Sequence, residues 1–236
     1  MIRVTRLADD HVGVVTIDRP EKRNAFTPEM WSAATDALGE LAADDEVSVV
    51  LVTGAGEVFS AGADTSEWRD DEEAGVPFHG FLDALDGFDK PLVAAVNGPA
   101  VGAGFTMLCY CDLVLASTTA RFKLPLVPMG LSPEAGSSRL LPERIGWQEA
   151  AHLFFTGDWL DAATARGAGL VWRTYPPAAL LPEATALCRS IGAMPLDALR
   201  ETKRLLVTAG RDAGPVRRRE SEVFRRLLAE RKEPAR

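Results

Sequence analysis

The chain has 236 residues, 47% of them hydrophobic and 25% charged, with a net charge of −8. That is the make-up of one ordinary domain, or one domain with an appendage. It is long enough to bury a core without a disulfide or metal staple, and it excludes long disorder, collagen and coiled coil as the main architecture. No apolar run approaches the ~18 residues that span a bilayer, and the acidic balance argues against a general nucleic-acid binder.

The N-terminus, Met1-Ile2-Arg3-Val4-Thr5-Arg6, has no apolar segment of the secretory kind,. Three cysteines cannot build a disulfide framework. Cys109 and Cys111 stand two apart with no His or acidic set nearby, so neither a zinc site nor any other metal site is expected,. The expected compartment is the cytoplasm.

In chain order, Val12-Gly13-Val14-Val15-Thr16-Ile17 predicts a strand ended by Asp18-Arg19-Pro20,. Thr27 then offers an N-cap with Pro28 in the first helical position, and Met30, Ala33, Ala34, Ala37, Leu38 and Leu41 recur at helical spacing,. A buried strand, Val47-Ser48-Val49-Val50-Leu51-Val52-Thr53, is closed by Gly54-Ala55-Gly56. Residues 64–73 carry six acids and one Arg and read as a solvated connection. Phe78, Phe81, Leu82 and Leu85 return to helical spacing. Pro91-Leu92-Val93-Ala94-Ala95-Val96 is another buried strand, Gly102-Ala103-Gly104 opens a helix through Met107 and Leu108, and Asp112-Leu113-Val114-Leu115-Ala116 is a further strand.

Strand and helix alternate, which predicts an α/β fold. A soft boundary falls near Tyr175-Pro176-Pro177, and helical patterns follow over 180–194, 196–209 and 215–232. This divides the chain into a body, 1–178, and a C-terminal helical region, 179–236. Up to Cys188 there are 13 basic and 27 acidic residues, and from Arg189 onward 13 and 7. With Glu220, Glu222, Glu230 and Glu233 mixed into it, the basic tail reads as a solvated helical face that pairs with an acidic body or a neighbouring subunit. Val223, Phe224, Leu227 and Leu228 form a narrow apolar stripe for docking on the body or on another subunit.

Gly54-Ala55-Gly56 is not a dinucleotide fingerprint, because the third glycine would fall at Phe59 and no helix opens there,. There is no phosphate-binding P-loop. His11, His79 and His152 stand in no nucleophile motif. Two small-residue turns are more informative: Phe59-Ser60-Ala61-Gly62-Ala63-Asp64, and Asn97-Gly98-Pro99-Ala100-Val101-Gly102-Ala103-Gly104. Each follows a buried strand. Taken singly, each reads as tight strand–helix packing. Two such turns converging would also place two free N–H donors together, an oxyanion hole.

In this order, with Arg19-Pro20-Glu21-Lys22-Arg23-Asn24-Ala25, Cys111-Asp112, Thr156-Gly157-Asp158 and Ala165-Arg166-Gly167-Ala168-Gly169-Leu170-Val171, these segments resemble the enoyl-CoA hydratase/isomerase (crotonase) superfamily over residues 12–171. The resemblance implies a spiral of repeated ββα units with a C-terminal helical oligomerisation region, as a homotrimer or a hexamer built from two trimers. It implies an acyl-CoA or enoyl-CoA thioester as partner, with coenzyme A as part of the substrate and no tightly bound cofactor. By position, the N–H groups of Ala63 and Ala103 would hold the thioester oxygen, with Ala103 standing where the family usually has glycine. Ala25, Ala61, Gly62 and Asp64 would lie along the coenzyme, and Lys22 and Arg23 could meet its phosphates or simply form a solvated turn. Family members run some twenty residues longer at the C-terminus, where a helix covers a neighbour's ligand.

The base departs from the hydratase pattern. Where hydratases carry two glutamates, this sequence has Thr106 and Leu126, and neither can move a proton unaided. Gly130-Leu131-Ser132-Pro133-Glu134-Ala135-Gly136-Ser137-Ser138 instead resembles the segment that supplies the catalytic glutamate of peroxisomal-type Δ3,Δ2-enoyl-CoA isomerases. There one carboxylate moves a proton between C2 and C4. The local pattern alone has another reading: Ser132 as N-cap, Pro133 in the first helical position and Glu134 in the first turn is ordinary capping chemistry. Arg139 and Glu143 read as an exposed pair, and Trp68, Phe105 and Met129 as pocket walls or core. The leading expectation is an isomerase acting through Glu134. The alternatives are a hydratase with a non-standard base and a catalytically silent acyl-CoA binding protein.

Overall fold

The computed structural model describes residues 1–7, 10–67, 75–208 and 214–230. Trp68 and most of the acidic 64–73 stretch lie outside the described residues, as does the end of the chain from 231. A six-stranded sheet is the centre of the molecule. Its strands are β1 (Ile2–Leu7), β2 (Val12–Ile17), β3 (Val49–Gly54), β4 (Leu92–Val96), then β6 (Leu113–Ser117) and β9 (Arg173–Tyr175), side by side in that order. The β1–β2 hairpin is antiparallel and every later neighbour is parallel. A smaller sheet joins β5 (Ala100–Val101), β7 (Arg121–Lys123) and β8 (Leu160–Asp161).

The buried runs read from the sequence are buried because both sheet faces are covered. Val50, Val52, Leu92, Ala94, Val96, Val114 and Ala116 face one core, closed by α1 (Pro28–Ala43) and α2 (Val76–Asp86). Val49, Leu51, Val93, Ala95 and Leu115 face the other, closed by Leu180, Ala184 and Cys188 of α7 (Pro177–Gly192). Successive strand residues point to opposite faces, so a strand covered on both sides is apolar throughout. The Thr27 cap forms as expected: Thr27 Oγ1 accepts from Met30 N–H at 3.3 Å and Pro28 opens α1. Because α7 fills the second core, the helical region drawn from 179 begins inside an element of the body.

The expected repeat of strand, short strand and helix is visible twice. β4 turns through Asn97-Gly98-Pro99 into β5 and α3 (Ala103–Thr106), which continues as a 3-10 turn over Met107–Tyr110. β6 turns into β7, and a long loop then leads to α4 (Ser137–Ile145). α5 (Trp147–Thr156) and α6 (Ala162–Ala168) follow, and Leu153, Phe154, Ala162 and Ala165 join the first core. Phe105, a candidate pocket wall, is wholly buried against Phe122 with ring centroids 5.7 Å apart. Met129 is half-buried.

The basic tail does pair with the acidic body. On α8 (Leu196–Thr208), Lys203 Nζ meets Asp112 at 2.8 Å and Arg204 meets Asp89 at 3.2 Å. On α9 (Gly214–Glu230), Arg217 bridges Asp83 and Asp86 of α2. Val223, Phe224 and Leu227 are half-buried, and α9 packs on α4 of its own chain. Glu220 departs from the solvated-face expectation. It is only 7% exposed.

Candidate active site

The site begins at the Arg19–Asn24 turn. Arg23 and Asn24 both take left-handed backbone, φ 53° and 56°. This aims the buried Asn24 side chain inward, where it donates to the carbonyls of Ala55 (2.9 Å) and Val58 (2.7 Å) and accepts from Arg19 N–H. Arg23 carbonyl accepts from Ala61 N–H, and Ser60 Oγ donates to Asn24 carbonyl while accepting from Gly62 N–H. The first small-residue turn is thereby fixed to the one before it. Asn97 ties in the second by accepting from Gly54 N–H and donating to Gly56 carbonyl.

Ala63 forms a parallel bridge with Phe26. The bridge is made by Phe26 N–H to Gly62 carbonyl and Asp64 N–H to Phe26 carbonyl, both 2.8 Å. In a parallel pair the flanking residue's own N–H points the other way, so Ala63 N–H is turned from Phe26. Ala103 is the first residue of α3, where an N–H has no intrahelical acceptor,. Among the described residues neither N–H has an acceptor. The two turns touch: a Cβ built on Gly62 would stand 3.1 Å from Ala103 N and 2.6 Å from Val101 O. One built on Gly104 would strike Ser60 at 2.7 Å. Tight packing and two adjacent donors are thus the same feature. Gly102 makes the second turn possible with φ 54° and ψ −125°, a backbone that favours glycine,.

The residues expected to meet the coenzyme belong to the first two of these turns or lie beside them. Lys22 and Arg23 are exposed, Ala61 is half-buried and Gly62 is buried. Ala25 is buried, and its carbonyl accepts from Arg19 Nη1. Asp64 is engaged by Ser66 at 2.6 Å and by Arg19 Nη1 at 2.8 Å, which lower its pKa to about 2. Its charge is therefore internally balanced. Arg19 stands in the sequence only as part of the turn after β2. Its role depends on a carboxylate 45 positions away, and no local pattern signals that.

Glu134 lies on the loop before α4, beside α3. Thr106 Oγ1 donates to Glu134 Oε1 at 2.7 Å. Thr106 is three residues after Ala103, one helical turn, so α3 carries a free N–H at its start and the partner of Glu134 at its end,. The other carboxylate oxygen, Oε2, is buried with no hydrogen-bond partner among the described residues. Burial pushes the pKa of Glu134 up to about 8, the Thr106 hydroxyl opposing and the Glu220 charge adding to it.

The capping alternative for Glu134 is corrected. α4 begins at Ser137, the residue before it is Gly136, and Ser132 Oγ has no partner among the described residues. Ala135 and Gly136 both take left-handed backbone, φ 58° and 70°, which interrupts a helix started at Pro133. Glu134 therefore faces α3 rather than capping α4. Leu126 is buried, and its carbonyl accepts from Met129 and Leu131 N–H. Arg139 and Glu143 form the expected exposed pair at 2.9 Å. Phe81, Leu82 and Leu85 are core, and Phe78 lies at the edge of that core with its ring centroid 5.0 Å from Trp31.

Two adjacent backbone donors, and a buried carboxyl held by the same short helix with one oxygen unpartnered among the described residues, are groups able to polarise a carbonyl and to move a proton,. The family model described as Enoyl-CoA hydratase/isomerase matches residues 8–233. The chain is 38% identical over 200 residues to the probable enoyl-CoA hydratase echA8 of Mycobacterium leprae, covering 81% of this chain and 76% of that protein. It is 36% identical over 200 residues to enoyl-CoA delta isomerase 2 of Rattus norvegicus, covering 81% of this chain and 51% of that protein. Among solved structures, the enoyl-CoA hydratase/isomerase of Pseudoalteromonas atlantica superposes with a TM-score of 0.92 at 36% identity, covering 97% of this chain and 91% of the other.

Proposed function

The chain belongs to the enoyl-CoA hydratase/isomerase family, and from that premise we propose that it moves a double bond in an enoyl-CoA thioester from C3 to C2, with Glu134 as the only base. The observation that carries this reading is the state of Glu134: buried, anchored through Oε1 to Thr106, and with no partner for Oε2 among the described residues. The N–H groups of Ala63 and Ala103 receive the thioester oxygen. Oε2 takes a proton from C2, the electrons of that C–H bond form a C1–C2 double bond while charge passes to the thioester oxygen, and the result is a dienolate conjugated with the C3–C4 double bond. The same carboxyl then returns the proton at C4, leaving a C2–C3 double bond. Nothing is added or lost, so no second carboxylate is required, which accords with Thr106 and Leu126.

The raised pKa suits this task. A carboxylate of ordinary pKa is too weak a base for a carbon acid, and one near neutrality transfers the proton in both directions more evenly. Each oxyanion donor supplies roughly 10²–10³ in rate and the positioned base roughly 10²–10⁴. Ala25, Ala61, Gly62 and the backbone of Asp64 line the coenzyme, and Lys22 and Arg23 meet its phosphates. No tightly bound cofactor takes part. The exposed apolar side chains of Met194, Leu205 and Leu206 suit a subunit contact in a homotrimer or a dimer of trimers.

The names of several relatives favour hydration as the second reading. There Glu134 would activate a water for C3 of a 2-enoyl-CoA and protonate C2. One pair of assays separates the two. With a 3-enoyl-CoA, isomerisation raises the absorbance of the conjugated thioester; with a 2-enoyl-CoA, hydration removes it. The expected result is a rise with the first and little change with the second. Hydration without isomerisation would replace the proposal, and binding without either would favour a silent acyl-CoA carrier.

Thr106→Val tests the anchor. It removes the one hydrogen bond that favours the carboxylate form, so the pKa of Glu134 rises further. The acid limb of kcat/KM moves to higher pH, and turnover at pH 7 falls roughly tenfold, the scale of one hydrogen bond to a charged group. An unmoved limb would mean that Glu134 is not the titrating base.

A further inference from the structure

The turn that carries Glu134 is held from three sides. Thr106 holds the carboxyl group. Tyr110 Oη donates to Ala135 carbonyl at 2.7 Å. The third hold comes from the far end of the chain. The carboxylate of Glu220, midway along α9, accepts from Gly136 N–H through Oε2 and from Ser138 N–H through Oε1, the latter at 2.9 Å. These are donors at the start of α4, which a helix leaves without internal partners. A Ser or Asp flanking the helix would ordinarily satisfy them. Here the flanking residue is Gly136, which has no side chain, and a carboxylate 84 positions away does so instead.

Burying a carboxylate merely to cap a helix is costly, and a surface side chain would serve α4 as well. What the distant carboxylate adds is a tie between α9 and two successive left-handed residues directly after Glu134. The charged groups around it are consistent with a fixed anchor. Arg217 lies one turn earlier on α9 and is itself held by Asp83 and Asp86 of α2, while His79 of α2 lies near Ser221.

We infer that Glu220 is a positioning residue that fixes the Glu134-Ala135-Gly136 turn, so that docking of α9 sets the direction of the Glu134 carboxylate. The inference rests on the reading of Glu134 as base, and its test has a readout that does not require turnover. In the full-length protein, Glu220→Gln keeps the size of the side chain but sets an amide NH2 against one of the two backbone donors. Amide hydrogen exchange in the peptide covering residues 134–140 should then speed up at least tenfold. For a 3-enoyl-CoA, kcat should fall about tenfold with KM within twofold of wild type. Glu220→Asp, which keeps the charge and shortens the reach, should fall between the two, and it carries the test if the Gln variant does not fold. Arg217→Gln loosens the other anchor of α9 and should leave both readouts within about threefold of wild type.

Wild-type exchange and kcat in Glu220→Gln would overturn the inference. So would an equal loss in Arg217→Gln, because helix docking in general would then explain the effect. Faster exchange in Glu220→Gln, with no turnover by the wild-type protein, would sink the isomerase reading and uphold the hold of Glu220 on the turn.

Discussion

Glu134→Gln should lower turnover of a 3-enoyl-CoA by roughly 10³-fold, within the range for loss of a general base, and leave acyl-CoA affinity within about threefold. The amide is nearly isosteric and its oxygen can still accept from Thr106, so the pocket keeps its shape and loses only its proton carrier. The same variant should be more stable than wild type at alkaline pH. The pKa of Glu134 is about 8 in the folded protein, against about 4.3 for an unperturbed glutamate. Between these values the unfolded chain has lost its proton and the folded chain keeps it. Stability therefore falls as pH rises through that window and levels above it. Wild type should lose on the order of a few kcal/mol between pH 5 and pH 9 relative to the Gln variant. Urea midpoints of the two proteins across that range measure the difference. Parallel curves would mean that Glu134 ionises as freely folded as unfolded, and the buried-base reading would fail.

Gly62→Ala should damage the site almost as severely. Its φ of 85° disfavours any L side chain, and the added Cβ would stand 2.6 Å from Val101 O and 3.1 Å from Ala103 N. Relief requires the two turns to part, which separates the donors of Ala63 and Ala103. Turnover should drop by two orders of magnitude or more, the scale of one lost oxyanion donor, with a clear fall in Tm. Gly56→Ala is the control. Gly56 has a φ of 71° and its nearest neighbour, Pro20 Cβ, is at an ordinary 3.4 Å. It carries the backbone strain without the crowding, so it should lose about 1 kcal/mol of stability and little activity. Equal activity losses in both variants would show that φ strain, not the approach of the turns, governs the effect.

Much of the fold was legible in the residues. The Thr27-Pro28 start of α1 and the buried strands are set by hydrogen bonds and periodicities that operate within a few positions. β1 has only a weak period, because Ile2 and Val4 alternate with polar residues but Thr5-Arg6 breaks the alternation before Leu7. Its pairing is set by β2, the next strand in the chain. The short strands β5, β7 and β8 were not legible, because two or three residues have no readable period.

The two small-residue turns and Glu134 were legible as positions through the ordered resemblance. Their arrangement was not. From the local pattern, Ser132-Pro133-Glu134 is a helix start, and it is the paired left-handed backbone at Ala135 and Gly136 that removes it. Thr106, legible only as an absent glutamate, is the anchor of Glu134 across 28 positions. Glu220, read as part of a solvated face, is buried against the start of α4. The sequence by itself determined the family, the long buried strands and the first helix, and it marked Glu134 as the candidate carboxylate. Only the tertiary structure decided that this carboxylate is buried, held at one oxygen and unpartnered at the other among the described residues. Burial and long-range hydrogen bonding depend on which distant segments the chain brings together, and no local pattern encodes that.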